Sequence, residues 1–297
     1  MPDWGVIVLN LQTGRAAAKI NLAIDVLRKR PDGYHDVKMI MQSVELYDTV
    51  TVKAVKGDIK VTSNTGGIPL GKENIAYKAA EYLKLKYNVK EGVQINIDKA
   101  IPVAAGLAGG STDAALTLKL LNKLWNLRLS VNEIFEAGKK LGSDVPFCIQ
   151  GGTALAEGLG EKLTLLPGIP DCLILLAKPA LSISTKEVYE GLILEDVKER
   201  PDIMSIIKHI NERNLEGIAA NMCNVLETST IKKYPQIEDL KKKFREHGAL
   251  GSMMSGSGPT VFGLFRDAES AYNAYDYIKG MVSEIFVVKP GNRNRDF

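Results

Sequence analysis

A glycine-rich segment with two hydroxyl side chains is the strongest chemical signal in the sequence. It contains Gly106, Gly109, Gly110, Ser111 and Thr112, between a predicted strand and a predicted helix. Glycines let backbone N–H groups approach an anion without obstruction by Cβ, and a helix start offers unpaired N–H groups and a positive dipole end. The segment predicts a phosphate site. A plain connecting loop with a Ser or Thr cap is the alternative.

The spacing of these glycines excludes the commonest nucleotide-binding loops. No Lys follows them, as a P-loop requires, and they do not have the GxGxxG spacing of dinucleotide-binding folds. The HRD and DFG sequences of protein kinases are also missing from the chain. Other segments must therefore decide what kind of phosphate site this is.

Three further segments carry polar side chains in places that suggest chemistry. Lys19 and Asn21 lie on an otherwise apolar predicted strand, Asp144 follows a predicted helix, and residues 255–259 form a second glycine-rich turn. A buried Lys needs a partner. Each segment also has a simpler explanation: Lys19 could extend to solvent, Asp144 could bond its own backbone, and residues 255–259 could be a hairpin-like turn.

Together these segments resemble the three motifs of the GHMP small-molecule kinases. The middle motif of that superfamily reads Pro-x-x-x-Gly-Leu-x-Ser-Ser-Ala, and here it stands as PVAAGLAGGSTDA over residues 102–114. It has two extra glycines, Thr112 in place of the second Ser, and Asp113 before the final Ala. The resemblance implies an α+β chain with the two-domain GHMP kinase fold: a ribosomal-protein-like (S5-domain-2-like) N-terminal domain, a ferredoxin-like α/β-plait C-terminal domain, and a site in the cleft between them.

One branch of the superfamily resembles the chain more closely than the others do. The resemblance lies in residues 19–22 (KINL), 30–35 (RPDGYH), 141–147 (LGSDVPF) and 156–161 (AEGLGE), and RPDGYH is the most specific because other members lack it. This branch uses ATP to phosphorylate the 2-hydroxyl of a cytidine diphosphate-linked methylerythritol in the non-mevalonate isoprenoid route. The chain is therefore expected to be a kinase for that small molecule.

The resemblance implies that Lys19 and Asp144 are the catalytic pair. Phosphoryl transfer needs an alcohol oxygen in line with the γ-phosphate and a group that takes its proton. Asp144 would be the general base, and Lys19 would stabilise the charge of Asp144, of the incoming oxygen and of the γ-phosphate. No covalent enzyme intermediate is required.

The resemblance also assigns the substrate-binding residues. Tyr34 and Tyr189 match the aromatic residues that stack on the cytosine ring, and His35 matches the residue that bonds the cytosine edge. Asn21 and Thr185 complete the expected substrate site. Without the resemblance, Tyr34 and His35 would be read as part of a surface turn.

The resemblance implies thirteen residues at the ATP site, with backbone groups of residues 102–112 holding the triphosphate. They are Pro102, Val103, Ala104, Ala105, Gly106, Leu107, Ala108, Gly109, Gly110, Ser111 and Thr112, with Asn74 and Lys99 near the adenosine and phosphates. Mg²⁺ is expected because ATP arrives with it. Ser111 is a possible ligand, and the sequence offers no clear carboxylate for the metal.

Composition and charge fit an enzyme that acts on a small molecule. The 297 residues carry a net charge of +3, from 38 basic and 35 acidic side chains, a smaller excess than nucleic-acid binders usually show. Three separated cysteines without a CxxC pair argue against zinc and fit buried thiols in a reducing compartment. No apolar run approaches the ~20 residues that span a bilayer, and no signal-peptide layout is present, so a cytoplasmic protein is expected.

The pattern of elements predicts two domains, residues 1–166 and 167–297, divided at the Pro-rich linker 166–170. Helical periodicity begins at Asn74, Ala114 and Asn132, with Asn74 and Ser130 as candidate caps. Residues 147–157 are predicted to be a strand and residues 215–232 one continuous helix.

Two rival functions remain open at this point. Another GHMP kinase, such as a homoserine kinase, would have no base for Tyr34 and His35 to bind. A non-catalytic nucleotide-binding or RNA-binding protein would fit poorly with the near-neutral charge and with the pair Lys19 and Asp144. We expect a small-molecule substrate as the partner, without nucleic acid or membrane, and either a monomer or a weak homodimer.

Overall fold

A long antiparallel hairpin is the centre of the larger β-sheet in the computed structural model, which describes residues 10–293. The hairpin turns at residues 30–34, where Gly33 has φ +87°. The first strand is buried on both faces from Ala18 to Ala23, as expected for a central strand. The strands are β1 (Leu11–Lys29), β2 (His35–Val55), β3 (Ile59–Ser63), β4 (Gly92–Asp98), β5 (Thr153–Gly158), β6 (Lys162–Leu166), β7 (Leu173–Lys178), β8 (Cys223–Asn224), β9 (Gly251–Met254), β10 (Val261–Phe265) and β11 (Glu284–Val288).

The helices pack on the faces of two sheets. Two of the predicted caps are confirmed: Asn74 caps the first helix, and Ser130 forms a capping box with Glu133 at the start of the third. The helices are α1 (Ile75–Lys86), α2 (Gly109–Leu124), α3 (Val131–Leu141), α4 (Val145–Gln150), α5 (Thr185–Glu190), α6 (Ile203–Asn211), α7 (Leu215–Ala220), α8 (Glu227–Lys233), α9 (Gln236–Glu246) and α10 (Ala268–Ile278).

The larger sheet has the order β3-β4-β2-β1-β8, and β5 pairs with both β2 and β6. Strand β8 comes from the C-terminal half of the chain and runs parallel to β1, with Ile24 opposite Asn224. One strand of the C-terminal half therefore belongs to a sheet that is otherwise built from the N-terminal half.

A second segment of the C-terminal half completes the edge of β2. That edge pairs with β5 over residues 37–42 and with β4 over residues 49–55. Between them, the N–H of Gly291 donates to the carbonyl oxygen of Ser43 at 2.7 Å, and the N–H of Glu45 donates to that of Lys289 at 2.9 Å. Residues 289–291 thus fill the gap that β4 and β5 leave.

The smaller sheet has the order β11-β7-β10-β9, with antiparallel neighbours throughout. This is the strand order of a ferredoxin-like plait, since the chain runs through β7, helices, β9, β10, α10 and β11. The expected α+β architecture is confirmed. No helix of the described residues is long and apolar enough to cross a membrane.

Two of the three hydrophobic cores join the halves of the chain. One contains Ile20 and Leu22 of β1 together with Phe262 of β10, and another contains Phe147 of α4 with Phe244 of α9. The third lies between the sheet and helices α1, α2 and α3. The predicted boundary between residues 166 and 167 stays a prediction, and two segments that follow it, β8 and residues 289–291, complete the larger sheet.

Three predicted elements are wrong in their extent. Helix α2 begins at Gly109, five residues before the predicted start, because the preceding residue, Ala108, takes a left-handed conformation and starts the helix there. Residues 145–150 form helix α4 rather than a strand, with Pro146 in its first turn. The predicted helix 215–232 is interrupted by β8.

Candidate active site

Lys19 and Asp144 lie together, although they come from distant parts of the chain. Nζ of Lys19 is 3.5 Å from Oδ2 of Asp144, with side-chain exposures of 6% and 28%. The same ammonium donates to Oδ1 of Asn21 at 2.8 Å and to the carbonyl oxygen of Gly106 at 3.3 Å. Lys19 does not extend to solvent, and its buried charge has three oxygen partners, as such a charge requires.

The local backbone explains how these two side chains reach the same place. Lys19 lies on β1, and its own N–H donates to the carbonyl oxygen of Leu107 at 3.1 Å. Asp144 is the residue before α4, and its carboxylate makes no capping hydrogen bond to that helix. The carboxylate therefore stays available beside the ammonium, instead of being used by its own backbone.

The phosphate loop (residues 102–112) has the geometry of an anion cradle. Ala104, Gly106 and Ala108 all have positive φ, at 51°, 75° and 58°. Because Ala108 precedes α2 without a side-chain cap, the first N–H groups of that helix have no side-chain acceptor. An uncapped helix start after a loop of this shape is suited to binding phosphate.

The two hydroxyl groups of the loop have different environments. Thr112 is buried, and its Oγ1 donates to the carbonyl oxygen of Ala17 on β1 at 2.7 Å. Its side chain therefore joins α2 to the strand that carries Lys19. Ser111 is half-buried, and its hydroxyl makes no hydrogen bond to another described residue, so Ser111 is the hydroxyl that stays free for a ligand.

The third-motif turn (residues 255–259) packs directly on the phosphate loop. Oγ of Ser255 donates to the carbonyl oxygen of Gly106 at 3.0 Å. A Cβ on Gly106 would lie 2.2 Å from the carbonyl oxygen of Ser255, and one on Gly256 would lie 3.1 Å from that of Gly106. The two turns thus meet backbone to backbone, and glycine is required at their contact.

A buried ion cluster lies below the phosphate loop. Lys99 contacts the carboxylates of both Asp48 and Asp113, and its Nζ is 2.9 Å from Oδ2 of Asp113. Oδ1 of Asp48 accepts the N–H groups of Ala100 and Ile101 at 2.7 and 2.8 Å. Burial and the neighbouring Asp48 raise the pKa of Asp113 to about 7, against the opposing charge of Lys99.

The side chains of the two remaining predicted ATP residues, Asn74 and Lys99, make contacts within the protein. The side chain of Lys99 is 5% exposed and is held by two carboxylates. Oδ1 of Asn74 accepts the N–H of Ala76 at 2.8 Å, and its Nδ2 donates to the carbonyl oxygen of Pro69 at 2.7 Å. Both side chains are thus engaged within the protein.

The predicted substrate residues come from the β1–β2 turn and from α5. Tyr34 is 65% exposed, while His35 lies against Tyr189 with ring centroids 5.2 Å apart and planes tilted by 37°. Burial, and after it the charge of Asp144, raises the pKa of the Tyr189 hydroxyl. Burial and the charge of Lys29 lower the pKa of His35. Because the charge of Asp144 acts on Tyr189, this ring lies near the Lys19–Asp144 pair.

Helix α5 is joined to the third-motif turn. Oγ1 of Thr185 is 2.8 Å from Oγ of Ser257, and either hydroxyl could donate. Thr185 begins the helix that carries Tyr189. The structure thus brings the segments of the predicted substrate, catalytic and phosphate residues to neighbouring positions.

The described residues contain no cluster of three His, Cys, Asp or Glu side chains that could hold a metal ion. The carboxylates below the loop, Asp48 and Asp113, are occupied by Lys99. A metal that arrives with a nucleotide would therefore find one free side-chain ligand among the described residues of this loop, the hydroxyl of Ser111.

Sequence reasoning missed Asp48, which belongs to the cluster below the loop. The residue is fully buried on β2, between Tyr47 and Thr49. An acidic side chain within a strand of alternating apolar residues was the available signal, since a buried carboxylate needs a partner.

Comparison with known proteins agrees with this fold. The model of the GHMP kinase N-terminal domain matches residues 74–152, and that of the GHMP kinase C-terminal domain matches residues 206–283. The chain is a GHMP kinase. A homoserine kinase from Cytophaga hutchinsonii has the same fold, with a TM-score of 0.77 at 18% identity, over 98% of each chain.

Relatives of much higher identity define the branch. A 4-diphosphocytidyl-2-C-methyl-D-erythritol kinase from Caldicellulosiruptor saccharolyticus is 51% identical over 92% of this chain and 94% of its own length. The kinase of that name from Clostridioides difficile is 50% identical over 94% and 95%. A crystal structure of a 4-(cytidine 5'-diphospho)-2C-methyl-D-erythritol kinase has a TM-score of 0.81 at 30% identity, over 95% of this chain and 100% of its own. The chain belongs to the 4-diphosphocytidyl-2-C-methyl-D-erythritol kinase family.

Proposed function

We propose that the chain transfers the γ-phosphoryl group of ATP to the 2-hydroxyl of 4-diphosphocytidyl-2-C-methyl-D-erythritol, a step of the non-mevalonate isoprenoid route. The names of relatives at about 50% identity support this substrate. The observation that carries the reaction type is the contact of 3.5 Å between Lys19 and Asp144, beside the carbonyl oxygen of Gly106.

Asp144 is the general base in this proposal. Its carboxylate is partly exposed and makes no capping bond, so a substrate hydroxyl can approach it and give up its proton as the new P–O bond forms. Lys19 stabilises the negative charge that develops on the attacking oxygen and on the γ-phosphate. The chain needs no covalent intermediate for this transfer.

The phosphate loop holds the triphosphate through backbone groups. The N–H groups of Gly109, Gly110 and Ser111 open helix α2, and no side-chain cap competes with an anion for them. Asn74 and Lys99 belong to the surroundings of this site. Mg²⁺, bound with ATP and ligated by Ser111, would neutralise charge on the phosphates.

Aromatic side chains recognise the cytosine. Tyr34 is exposed at the tip of a turn, and Tyr189 and His35 face one another near Asp144. The base stacks between the two tyrosines while His35 bonds its edge. Asn21 and Thr185 bind the substrate closer to the transfer point.

In this proposal the protein acts in the cytoplasm as a monomer or a weak homodimer, and neither nucleic acid nor a membrane is a partner. Its small net charge of +3 supports a small-molecule substrate over a polyanion.

Substrate-dependent release of ADP tests the proposal. Purified chain is given ATP and Mg²⁺ with the cytidine-linked substrate, with homoserine, with mevalonate or with RNA. We expect ADP release with the cytidine-linked substrate alone. Release with homoserine or mevalonate instead would assign the chain to another GHMP activity, and release with none of them would contradict the proposal.

The variant Asp144→Asn tests the base. We expect it to bind ATP as the wild type does and to lose turnover by about 10²- to 10⁴-fold, the usual contribution of general base catalysis. The exposed Asp239→Asn is the control. Near-normal turnover of Asp144→Asn would remove Asp144 from its role.

A further inference from the structure

The side chain of Asn224 holds the third-motif turn through two hydrogen bonds. Its Nδ2 donates to the carbonyl oxygen of Met254 at 2.9 Å and to that of Gly256 at 2.8 Å. Its Oδ1 accepts the N–H of Leu226 at 3.0 Å. The residue is 4% exposed. Both amide hydrogens are thus used on the two residues that flank Ser255.

The backbone of Asn224 is fixed on the strand that carries Lys19. Asn224 pairs with Ile24 in the parallel contact between β8 and β1, and the N–H of Val225 donates to the carbonyl oxygen of Ile24 at 3.0 Å. Since β1 is the central strand of the larger sheet, Asn224 has a rigid base from which to position the turn.

A closed ring of contacts follows from these bonds. It runs from β1 to Asn224, from Asn224 to the carbonyl groups around Ser255, and from the Ser255 hydroxyl to the carbonyl oxygen of Gly106 at 3.0 Å. That oxygen also accepts a hydrogen bond from the ammonium of Lys19 at 3.3 Å. Because Lys19 lies on β1, this bond closes the ring. Every step is a hydrogen bond or a strand pairing.

We propose that Asn224 is a positioning residue for phosphoryl transfer, which fixes the third-motif turn so that Ser255 and Gly106 hold the phosphate loop and the Lys19 ammonium in place. The inference rests on the proposed function. Asn224 acts through other residues and touches neither substrate.

An independent contact keeps the turn attached when Asn224 is changed. Oε1 of Glu227 accepts the N–H of Met254 at 2.7 Å, and Oε2 of Glu227 is 2.6 Å from Nζ of the buried Lys241. Loss of the Asn224 amide would therefore displace the turn without releasing it from the domain. Misplacement of about 1 Å is enough to slow catalysis strongly.

Asn224→Asp is the sharpest substitution, since it keeps the size of the side chain but puts oxygen in place of the donating nitrogen, against two carbonyl groups. We expect kcat to fall about tenfold or more and the Kd of ATP to rise. The KM of the cytidine-linked substrate should change less than kcat, because Tyr34 and His35 lie at the β1–β2 turn, outside the ring of contacts, while Thr185 meets the third-motif turn through Ser257.

The control is Gln42→Ala. Gln42 is also a buried amide with three hydrogen bonds, two donated to the carbonyl oxygens of Ser43 and Gly291 and one accepted from Thr153. None of them reaches the third-motif turn. The control should lower Tm as a lost buried amide does, while the folded protein keeps its kcat and its affinity for ATP.

Wild-type kcat and wild-type affinity for ATP in folded Asn224→Asp would overturn the inference, whatever its Tm. If Asn224→Asp does not fold, Ser255→Ala is the deciding variant, because the ring of contacts passes through the Ser255 hydroxyl. A fall in its kcat and ATP affinity supports the inference, and wild-type values overturn it. If the wild-type chain is inactive on the cytidine-linked substrate, the proposed function is contradicted. The Kd of ATP, measured for wild type and Asn224→Asp without that substrate, still tests the inference about Asn224.

Discussion

The ammonium of Lys99 lies 2.9 Å from Oδ2 of Asp113, and this contact joins the two ends of the phosphate loop. Lys99 precedes the loop, and Asp113 is the residue directly after it, within α2. Asp48 completes the cluster from β2 and binds the N–H groups of Ala100 and Ile101. The loop is therefore anchored on both sides by buried charges, so its shape does not depend on the nucleotide alone.

Asp113→Asn should make stability less dependent on pH. Burial raises the pKa of Asp113 in the folded chain from 3.8 to about 7, so the folded state holds this proton more tightly than the unfolded state. The resulting stability is fully present below about pH 4 and is lost as pH rises towards about 7. Asn cannot titrate. We expect the drop in Tm between about pH 5 and about pH 8 to be smaller in Asp113→Asn than in the wild type.

The exposed Asp239→Asn serves as the control for this prediction and should leave the drop unchanged. An equal drop in Asp113→Asn and wild type would mean that other groups cause the pH dependence of stability.

Lys19→Met should remove turnover while the fold is retained. Met fills most of the space of Lys19, but it cannot stabilise charge on the γ-phosphate, and we expect kcat to fall about 10²- to 10³-fold. The measurement is ADP release under saturating substrates. Lys38→Met is the control, because Lys38 also lies on a strand of the larger sheet and pairs with Glu157 at 3.6 Å. Equal kcat values for the two variants would speak against the assigned role of Lys19.

Tyr34→Ala should weaken binding of the cytidine-linked substrate and nothing else. Tyr34 is 65% exposed, so its removal should not change Tm. Stacking of a base on an aromatic ring is worth about 1–3 kcal/mol, so we expect KM for this substrate to rise about 10- to 100-fold with KM for ATP unchanged. Tyr272→Ala, which removes another exposed tyrosine, is the control. A normal KM in Tyr34→Ala would exclude stacking on this ring.

Gly106→Ala should disturb both stability and ATP binding. Its Cβ would lie 2.2 Å from the carbonyl oxygen of Ser255, and φ of +75° is unfavourable for Ala. We expect a loss of about 1–3 kcal/mol in the free energy of unfolding and weaker ATP binding by titration. Gly168→Ala is the matched control, since nothing lies within 4 Å of its Cβ position. Similar behaviour of the two variants would show that the contact with Ser255 is not tight.

Much of the fold could be predicted from sequence because its parts are short local motifs. The caps at Asn74 and Ser130, the α+β class and the GHMP kinase family were predicted and are confirmed. Helix starts and glycine turns depend on residues within one or two turns of each other, so a sequence contains most of what determines them.

The rest depends on contacts between distant segments. The sequence around Asp48 does not indicate its contacts with Lys99 and Asp113. The sequence of residues 215–232 likewise does not indicate that Cys223 and Asn224 pair with β1 as a strand. Helical propensity over this stretch was overridden by pairing with a central strand. The assigned roles of Lys19, Asp144 and the ATP-binding and substrate-binding residues stay predictions for the experiments above.

The pairing of residues 289–291 with β2 has a consequence for how the chain is made. During translation, residues 43–45 leave the ribosome long before their partners, residues 289–291. Domains generally fold as units while the chain emerges, yet this sheet keeps an open stretch of strand edge until residues 289–291 have been made. A nascent chain stalled before residue 289 would therefore expose an edge that invites aggregation.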